Sequence, residues 1–206
     1  MALVSVANLK EYLPEISGTA ADTELSNIID RTEGLIARFL GFPISTVGAK
    51  YEASLESQSY TLYLDGPSFI DPYVLNLPIR PVTTITSIHS DPNQEYGGDT
   101  LVPASEYSLD IYLGRVYLSL TNSTKSFQRG RRAIKVVCDA GWTSATAPDE
   151  LMHCICIYAS QLHRNKPAQG RENISQRTGS VSVSPKTMPL EVKEILFPMR
   201  AFGMLI

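Results

Sequence analysis

The chain has 206 residues, 43% of them hydrophobic and 19% charged, with 18 basic against 21 acidic side chains and a formal net charge of −3. That is enough apolar material for one compact domain, or one domain carrying a large insertion, and too much for broad disorder. The slight acidic excess argues against sequence-scanning DNA binding as the main task, because a protein that grips duplex phosphates normally carries a basic excess.

The start, Met1-Ala2-Leu3-Val4-Ser5-Val6, lacks the charged and apolar regions of a signal peptide. No uninterrupted apolar run is long enough to span a bilayer. Cys138, Cys154 and Cys156 make an odd count, which favours reduced thiols. The expectation is a soluble, cytoplasmic, globular protein without a membrane partner.

Residues 3–45 read as two helices. Ser5 can cap a short first helix running through Tyr12, with Pro14 and Gly18 ending it. In the second, Leu25, Ile28, Ile29, Leu35, Ile36, Phe39 and Leu40 recur at three- and four-residue steps, with Thr32 filling the stripe. Asp30, Arg31, Glu33 and Arg38 are read as lying off it. Gly41 stands where a left-handed C′ residue is expected, and Pro43 prevents continuation.

From about residue 50 to 140, β-branched and aromatic residues come in short runs broken by turn residues. The predicted strands are 51–55, 60–64, 82–89, 107–111, 115–118 and 133–138. Leu62, Leu64, Ile85 and Ile88 alternate only in part, so strand pairing stays open. Tyr112-Leu113-Gly114 predicts a hairpin turn. Asp91-Pro92-Asn93 and Gly97-Gly98-Asp99 predict one exposed loop.

A third helix follows, with Pro148 expected at its first position and Asp149 and Glu150 in its first turn. Leu151, Cys154, Ile155, Tyr158 and Leu162 form one apolar face, and Met152, Cys156 and Ala159 a second. Such a helix is either central in its own fold or shared with a neighbouring subunit. Residues 165–187 are polar and rich in breakers and read as a linker. Beyond it the chain turns apolar again, with Pro189 placed to open a short helix and Pro198 to stop it. Leu190, Ile195, Leu196, Phe197, Phe202 and Met204 past a polar linker suggest a docking peptide; the alternative is a tail folded back on its own subunit.

Residues that carry chemistry do not assemble into a motif. Cys154 and Cys156 are two apart on a predicted helix, so their side chains diverge by about 200° and cannot share one metal ion. His153 and His163 are too far apart to meet on one turn, and His89 reads as a turn residue. No nucleophile elbow, phosphate loop, dinucleotide fingerprint or zinc-protease signature occurs. The expectation is no enzyme, no cofactor and no metal. The basic cluster Lys125, Arg129, Arg131, Arg132 and Lys135 could instead meet nucleic-acid phosphates or an acidic partner surface. Phe127 is its only aromatic neighbour in sequence, and a solvated hairpin is the alternative reading.

The fold class expected is α+β. Helices at 1–48 and 146–165 form a small bundle, a β-rich antiparallel insertion occupies 49–145, and 166–206 is a linker with a docking tail. This order resembles the head–tail connector family of tailed bacteriophages, the neck adaptor or head-completion proteins. Leu3-Val4-Ser5-Val6-Ala7-Asn8-Leu9-Lys10-Glu11-Tyr12-Leu13 is similar to that family's first helix. Ile28-Ile29-Asp30-Arg31-Thr32-Glu33-Gly34-Leu35-Ile36-Ala37-Arg38-Phe39-Leu40-Gly41 resembles its second, with the Leu-Gly exit. Leu77-Pro78-Ile79-Arg80-Pro81-Val82-Thr83-Thr84-Ile85 looks like its proline-flanked lead into a strand. Tyr107-Ser108-Leu109-Asp110 with Gly114-Arg115-Val116 is similar to its hairpin. Val136-Val137-Cys138-Asp139-Ala140-Gly141-Trp142 and Pro148-Asp149-Glu150-Leu151 resemble its last strand and following helix. Loop 91–100 and the basic cluster fall outside the resemblance.

The resemblance implies a structural virion protein without catalytic residues. It would form a homo-oligomeric ring, typically of about twelve copies, under the portal protein, and join it to a tail-side stopper or tail terminator. Genomic DNA would pass through the ring's lumen. The protein would sit in the virion neck and be found in host cytoplasm during assembly. The apolar tail would bind portal, and the second face of the third helix would pack inside the ring. A nucleic-acid-binding module using 125–135 is the competing reading.

Overall fold

The computed structural model describes residues 2–47, 50–67, 71–119, 126–166, 173–176, 179–182 and 188–200. These residues are α+β and divide into two compact units, 1–36 with 144–199 and 37–143 with 200–206.

In the first unit, helix α1 (Val6–Glu11) is capped by Ser5, whose Oγ accepts the Asn8 N–H at 3.2 Å. Helix α2 (Asp22–Leu40), whose last turn from Ala37 is counted with the second unit, buries Leu25, Ile28, Ile29, Thr32, Glu33, Ile36, Ala37 and Leu40, a continuous stripe at helical spacing. Three positions differ from expectation. Leu35 is 41% exposed, Phe39 is only half-buried, and Glu33, read as lying off the stripe, is buried on it. The reason is a backbone need: Glu33 Oε1 accepts the N–H groups of Leu3 at 2.8 Å and Val4 at 3.3 Å, donors ahead of α1 that no helix satisfies. At the other end of α2, Gly41 takes φ +94°. The Gly41 N–H donates to Arg38 O at 3.2 Å and the Phe42 N–H to Ala37 O at 3.0 Å, the Schellman closure that a left-handed C′ residue permits.

Helix α3 (Asp149–Arg164) starts one residue later than expected, with Pro148 as its N-cap. Its buried residues, Leu151, Cys154, Ile155, Cys156, Tyr158, Ala159 and Ser160, run round most of the helix. It is packed by α1 and by helix α4 (Leu190–Leu196), whose Val192 and Leu196 are buried.

The second unit begins with a short hairpin of β1 (Ser45–Val47) and β2 (Lys50–Glu52). Strands β3 (Gln58–Leu64), β4 (Val74–Asn76), β5 (Val82–Ser90), β6 (Tyr107–Asp110), β7 (Arg115–Leu118) and β8 (Ile134–Ala140) follow. They form two antiparallel three-stranded sheets, ordered β3-β8-β5 and β4-β7-β6. Central strand β8 alternates cleanly, burying Ile134, Val136, Cys138 and Ala140. Opposite them on β5 stand Val82 with Ala140, Ile85 with Cys138, and Ile88 with Val136. Three residues on β5 thus match two on β8, because the ladder shifts register between Val82 and Thr84 and again between Ile85 and Ser87. An aromatic cluster closes the core: the Phe42 ring lies 5.8 Å from Trp142 and 6.3 Å from Tyr60.

Within the predicted linker, β9 (Asn173–Gln176) and β10 (Gly179–Ser182) pair as an antiparallel hairpin with Ile174 opposite Val181. The polar composition of this stretch therefore does not exclude paired strands; Pro167, Gly170, Ser184 and Pro185 lie outside the described residues.

Candidate functional site

The residues with chemical potential are set in structural roles. Cys138, Cys154 and Cys156 are free and buried. Burial pushes their thiols up, to about 12 at Cys138 and about 11 at Cys154 and Cys156. A thiol held protonated is a poor nucleophile and a poor metal ligand. His153 Nδ1 lies 2.7 Å from the Tyr12 hydroxyl. His89 Nδ1 lies 3.2 Å from Gly97 O and 3.4 Å from Thr100 Oγ1 at the base of loop 91–100. Among the described residues no three His, Cys, Asp or Glu side chains converge where an ion could sit.

The basic cluster becomes a built surface. Lys125 lies outside the described residues; Arg129, Arg131 and Arg132 are exposed and Lys135 is half-buried. The turn that carries them is pinned on two sides. Gly66 N–H donates to Gly130 O at 2.9 Å, and Arg132 N–H to Asp65 Oδ1 at 2.7 Å. From loop 91–100, Gln94 Nε2 donates to Arg131 O at 3.1 Å and the Tyr96 hydroxyl to Arg132 O at 2.6 Å. The Arg132 guanidinium sits 4.7 Å over the Tyr63 ring, the Lys135 ammonium 5.5 Å from the Tyr96 ring, and the two rings are 5.6 Å apart. For Arg132 and Lys135 the ring contact holds the end of a long side chain in place.

Sequence reasoning missed Tyr63 and Tyr96. Phe127, the aromatic neighbour it found, is 1% exposed and belongs to the core. The two tyrosines arrive from β3 and from loop 91–100, and no local spacing reveals them. The signal lies in Asp91, which is only 3% exposed. Its Oδ1 accepts the Asn93 N–H at 2.8 Å, and its Oδ2 accepts those of Glu95 and Tyr96, each at 2.8 Å. These donors, Tyr96 foremost, hold the Asp91 carboxyl below the ordinary carboxylate range. The loop is therefore folded around one buried carboxylate, which places Tyr96 over the basic turn.

The C-terminal residues divide. Leu196 is fully buried with Val192, Ile195 is half-buried, and Leu190 and Phe197 are 71% and 56% exposed. Phe202 and Met204 lie outside the described residues. On the second face of α3, Cys156 and Ala159 are buried within their own protomer, and Met152 is half-exposed.

No protein-family profile matches the chain, and no curated protein matches it. The chain has the fold of components of virus-like neck assemblies. It matches a chain in the neck of an empty GTA particle computed with C6 symmetry, with a TM-score of 0.61 and 18% identity over 98% of this chain and 92% of that one. A chain in the virion of a native gene transfer agent (GTA) particle gives a TM-score of 0.57 at 18% identity, over 98% and 92%. A chain in the neck of a native GTA particle computed with C12 symmetry gives 0.50 at 19% identity, over 97% and 90%. At these identities the likeness is one of fold.

Proposed function

We propose that this chain is a structural neck protein. Many copies form a ring, twelve in the fullest version of the reading, that joins a portal to a stopper or tail component and leaves a channel for DNA. The ring sits in the virion neck after assembly in host cytoplasm, and no catalysis is assigned to it. The observation that carries the reading is the fold shared with chains of GTA necks over nearly the whole of both chains.

The portal contact is assigned to the exposed Leu190 and Phe197, together with Phe202 and Met204, which lie outside the described residues. Val192 and Leu196 instead hold α4 on α3. Transferring each exposed large apolar side chain into a portal groove contributes about 1.5–3 kcal/mol before ordering costs. A ring multiplies such contacts through effective concentration. Deleting 188–206 would uncover apolar surface that Val192 and Leu196 cover as well as remove the contact, so point substitutions at the exposed positions separate the two. Mass photometry of the full chain with portal from the same particle should show saturable addition of many copies. The double variant Leu190→Asp, Phe197→Asp should keep its helix signal and lose that addition. Undiminished addition by the variant would remove the tail from the interface, and no addition by the wild type would remove the neck reading itself.

The tyrosine-backed cations support a second reading, a nucleic-acid-binding module, since guanidinium and ammonium groups held on rings suit phosphate contacts. The isolated protomer should then bind duplex DNA at low salt, with affinity falling as salt rises. Alanine at Arg129, Arg131 and Arg132 should abolish the binding. Absence of low-salt binding by the wild type ends this reading.

A further inference from the structure

A cyclic ring of more than two copies needs two different complementary surfaces on every protomer, because each copy meets its neighbours head to tail. The described residues offer a convex and a concave candidate for these two surfaces. The convex one is the turn between β6 and β7. Ile111, Tyr112 and Leu113 follow one another there, 43%, 88% and 47% exposed, and Tyr112 is the most exposed large apolar side chain among the described residues. The turn is nonetheless fixed. Asp110 Oδ1 accepts the Leu113 N–H at 2.9 Å, Gly114 takes φ +60°, and Gly114 O accepts the Leu77 N–H at 2.8 Å. A Cβ at position 114 would stand 3.0 Å from Ile79 O, so glycine is suited to the position twice over. Three consecutive apolar side chains on a pre-set turn are an anchor whose ordering cost has already been met in folding.

The concave candidate is a groove of about 640 Å³ between α2 and the end of α3. Ile28, Leu35 and Leu162 supply its apolar lining, and Leu35 is the α2 residue that left the buried stripe for the surface. Glu24, Arg31 and Lys166 supply its charges. Lys166 is already paired with Glu24 at 2.7 Å, whereas Arg31 makes no ion pair among the described residues. The turn brings a matching carboxylate, Asp110, which commits one oxygen to Leu113 and leaves the other for a cation.

We propose that the β6–β7 turn of one copy seats in the α2–α3 groove of the next. Tyr112 would lie against Ile28, Leu35 and Leu162, and Asp110 would face Arg31. A second copy is favoured as the occupant because the carboxylate beside the anchor answers Arg31, which has no ion-pair partner among the described residues. Buried tyrosine rimmed by charge is also the usual centre of a protein–protein interface. The proposal rests on the ring reading above and goes beyond it by naming the two surfaces.

The test uses full-length protein under conditions where mass photometry shows multi-copy assembly. Two single variants, Tyr112→Cys and Leu35→Cys, are mixed and treated with a short bismaleimide. The native thiols are buried and stay silent, so wild type is the blank. Neither variant holds both new cysteines, so a link between them must join two chains. A dimer from the mixture, absent from either variant alone, is the expected result. Tyr112→Asp should in addition lower the multi-copy population at least tenfold while leaving the circular dichroism unchanged. Assembly of the mixture without a dimer band overturns the turn-in-groove contact and leaves the ring standing. Failure of wild type to assemble, alone or on portal, overturns both.

Discussion

Asp91 shows how one side chain can position a surface it does not belong to. Its carboxylate oxygens gather the N–H groups of Asn93, Glu95 and Tyr96, and the Tyr96 hydroxyl then reaches Arg132 O. Asparagine is nearly isosteric but offers only one acceptor, so an amide NH2 would confront either the Asn93 donor or those of Glu95 and Tyr96. Asp91→Asn should therefore loosen loop 91–100 and free the basic turn. The pH dependence follows from the depressed carboxyl. Stability from a depressed group is fully present above its unfolded-state value, near pH 4, and is lost as pH falls through the lower folded-state value. The urea midpoint of Asp91→Asn should lie below that of wild type near neutrality, and the gap should close in acid below about pH 4. A gap that persists unchanged in acid would mean that the carboxylate charge is not what holds the loop.

At the scale of elements, α4 separates a packing role from a surface role within seven residues. Leu196→Ala removes a fully buried side chain and should cost about 2–5 kcal/mol, read as a lowered denaturation midpoint. Phe197→Ala should stay within about 0.5 kcal/mol of wild type, as exposed positions do. Equal losses at both sites would contradict the observed burial. Sequence periodicity found the helices, because capping residues and three- and four-step apolar spacing act locally: Ser5, Gly41 and the stripe from Leu25 to Leu40 are all legible. It also located β3, β5, β6, β7, β8 and the turn at 112–114, but the strand expected over 51–55 ends at Glu52, and the three-residue strands β1 and β4 were missed because so few residues show no alternation. It left the strand pairing open, and at β5 the physical reason is definite: two register shifts spread Val82, Ile85 and Ile88 at three-residue steps and erase the alternation. It misplaced Glu33 because the demand for that carboxylate comes from the backbone of Leu3 and Val4, thirty and twenty-nine residues away. The basic turn was legible and its tyrosines were not, since the fold alone brings them together.

For the whole molecule, the division into two units gives separate handles on folding and binding. Trp142, the only tryptophan in the sequence, and Cys138 belong to the second unit, while Cys154, Cys156 and helices α1, α3 and α4 belong to the first. All three thiols are at most 3% exposed, with protonation favoured by burial, so none should react with a maleimide until its own unit opens. In a urea series resolved by peptide mass spectrometry, Cys138 labelling should share its midpoint with Trp142 fluorescence. Cys154 and Cys156 should label together, at the midpoint of the helical signal. Labelling of Cys138 apart from the tryptophan transition would show that the second unit is not cooperative. The same readout tests the assignment of Leu190 and Phe197 to the portal contact. A partner that binds only the folded unit stabilises it by mass action, about 2.7 kcal/mol at one hundred times the dissociation constant. Excess portal should accordingly delay labelling of Cys154 and Cys156 in the wild type and have no such effect on the Leu190→Asp, Phe197→Asp variant. Equal protection in both proteins would move the portal contact off α4 and onto some other surface of the chain.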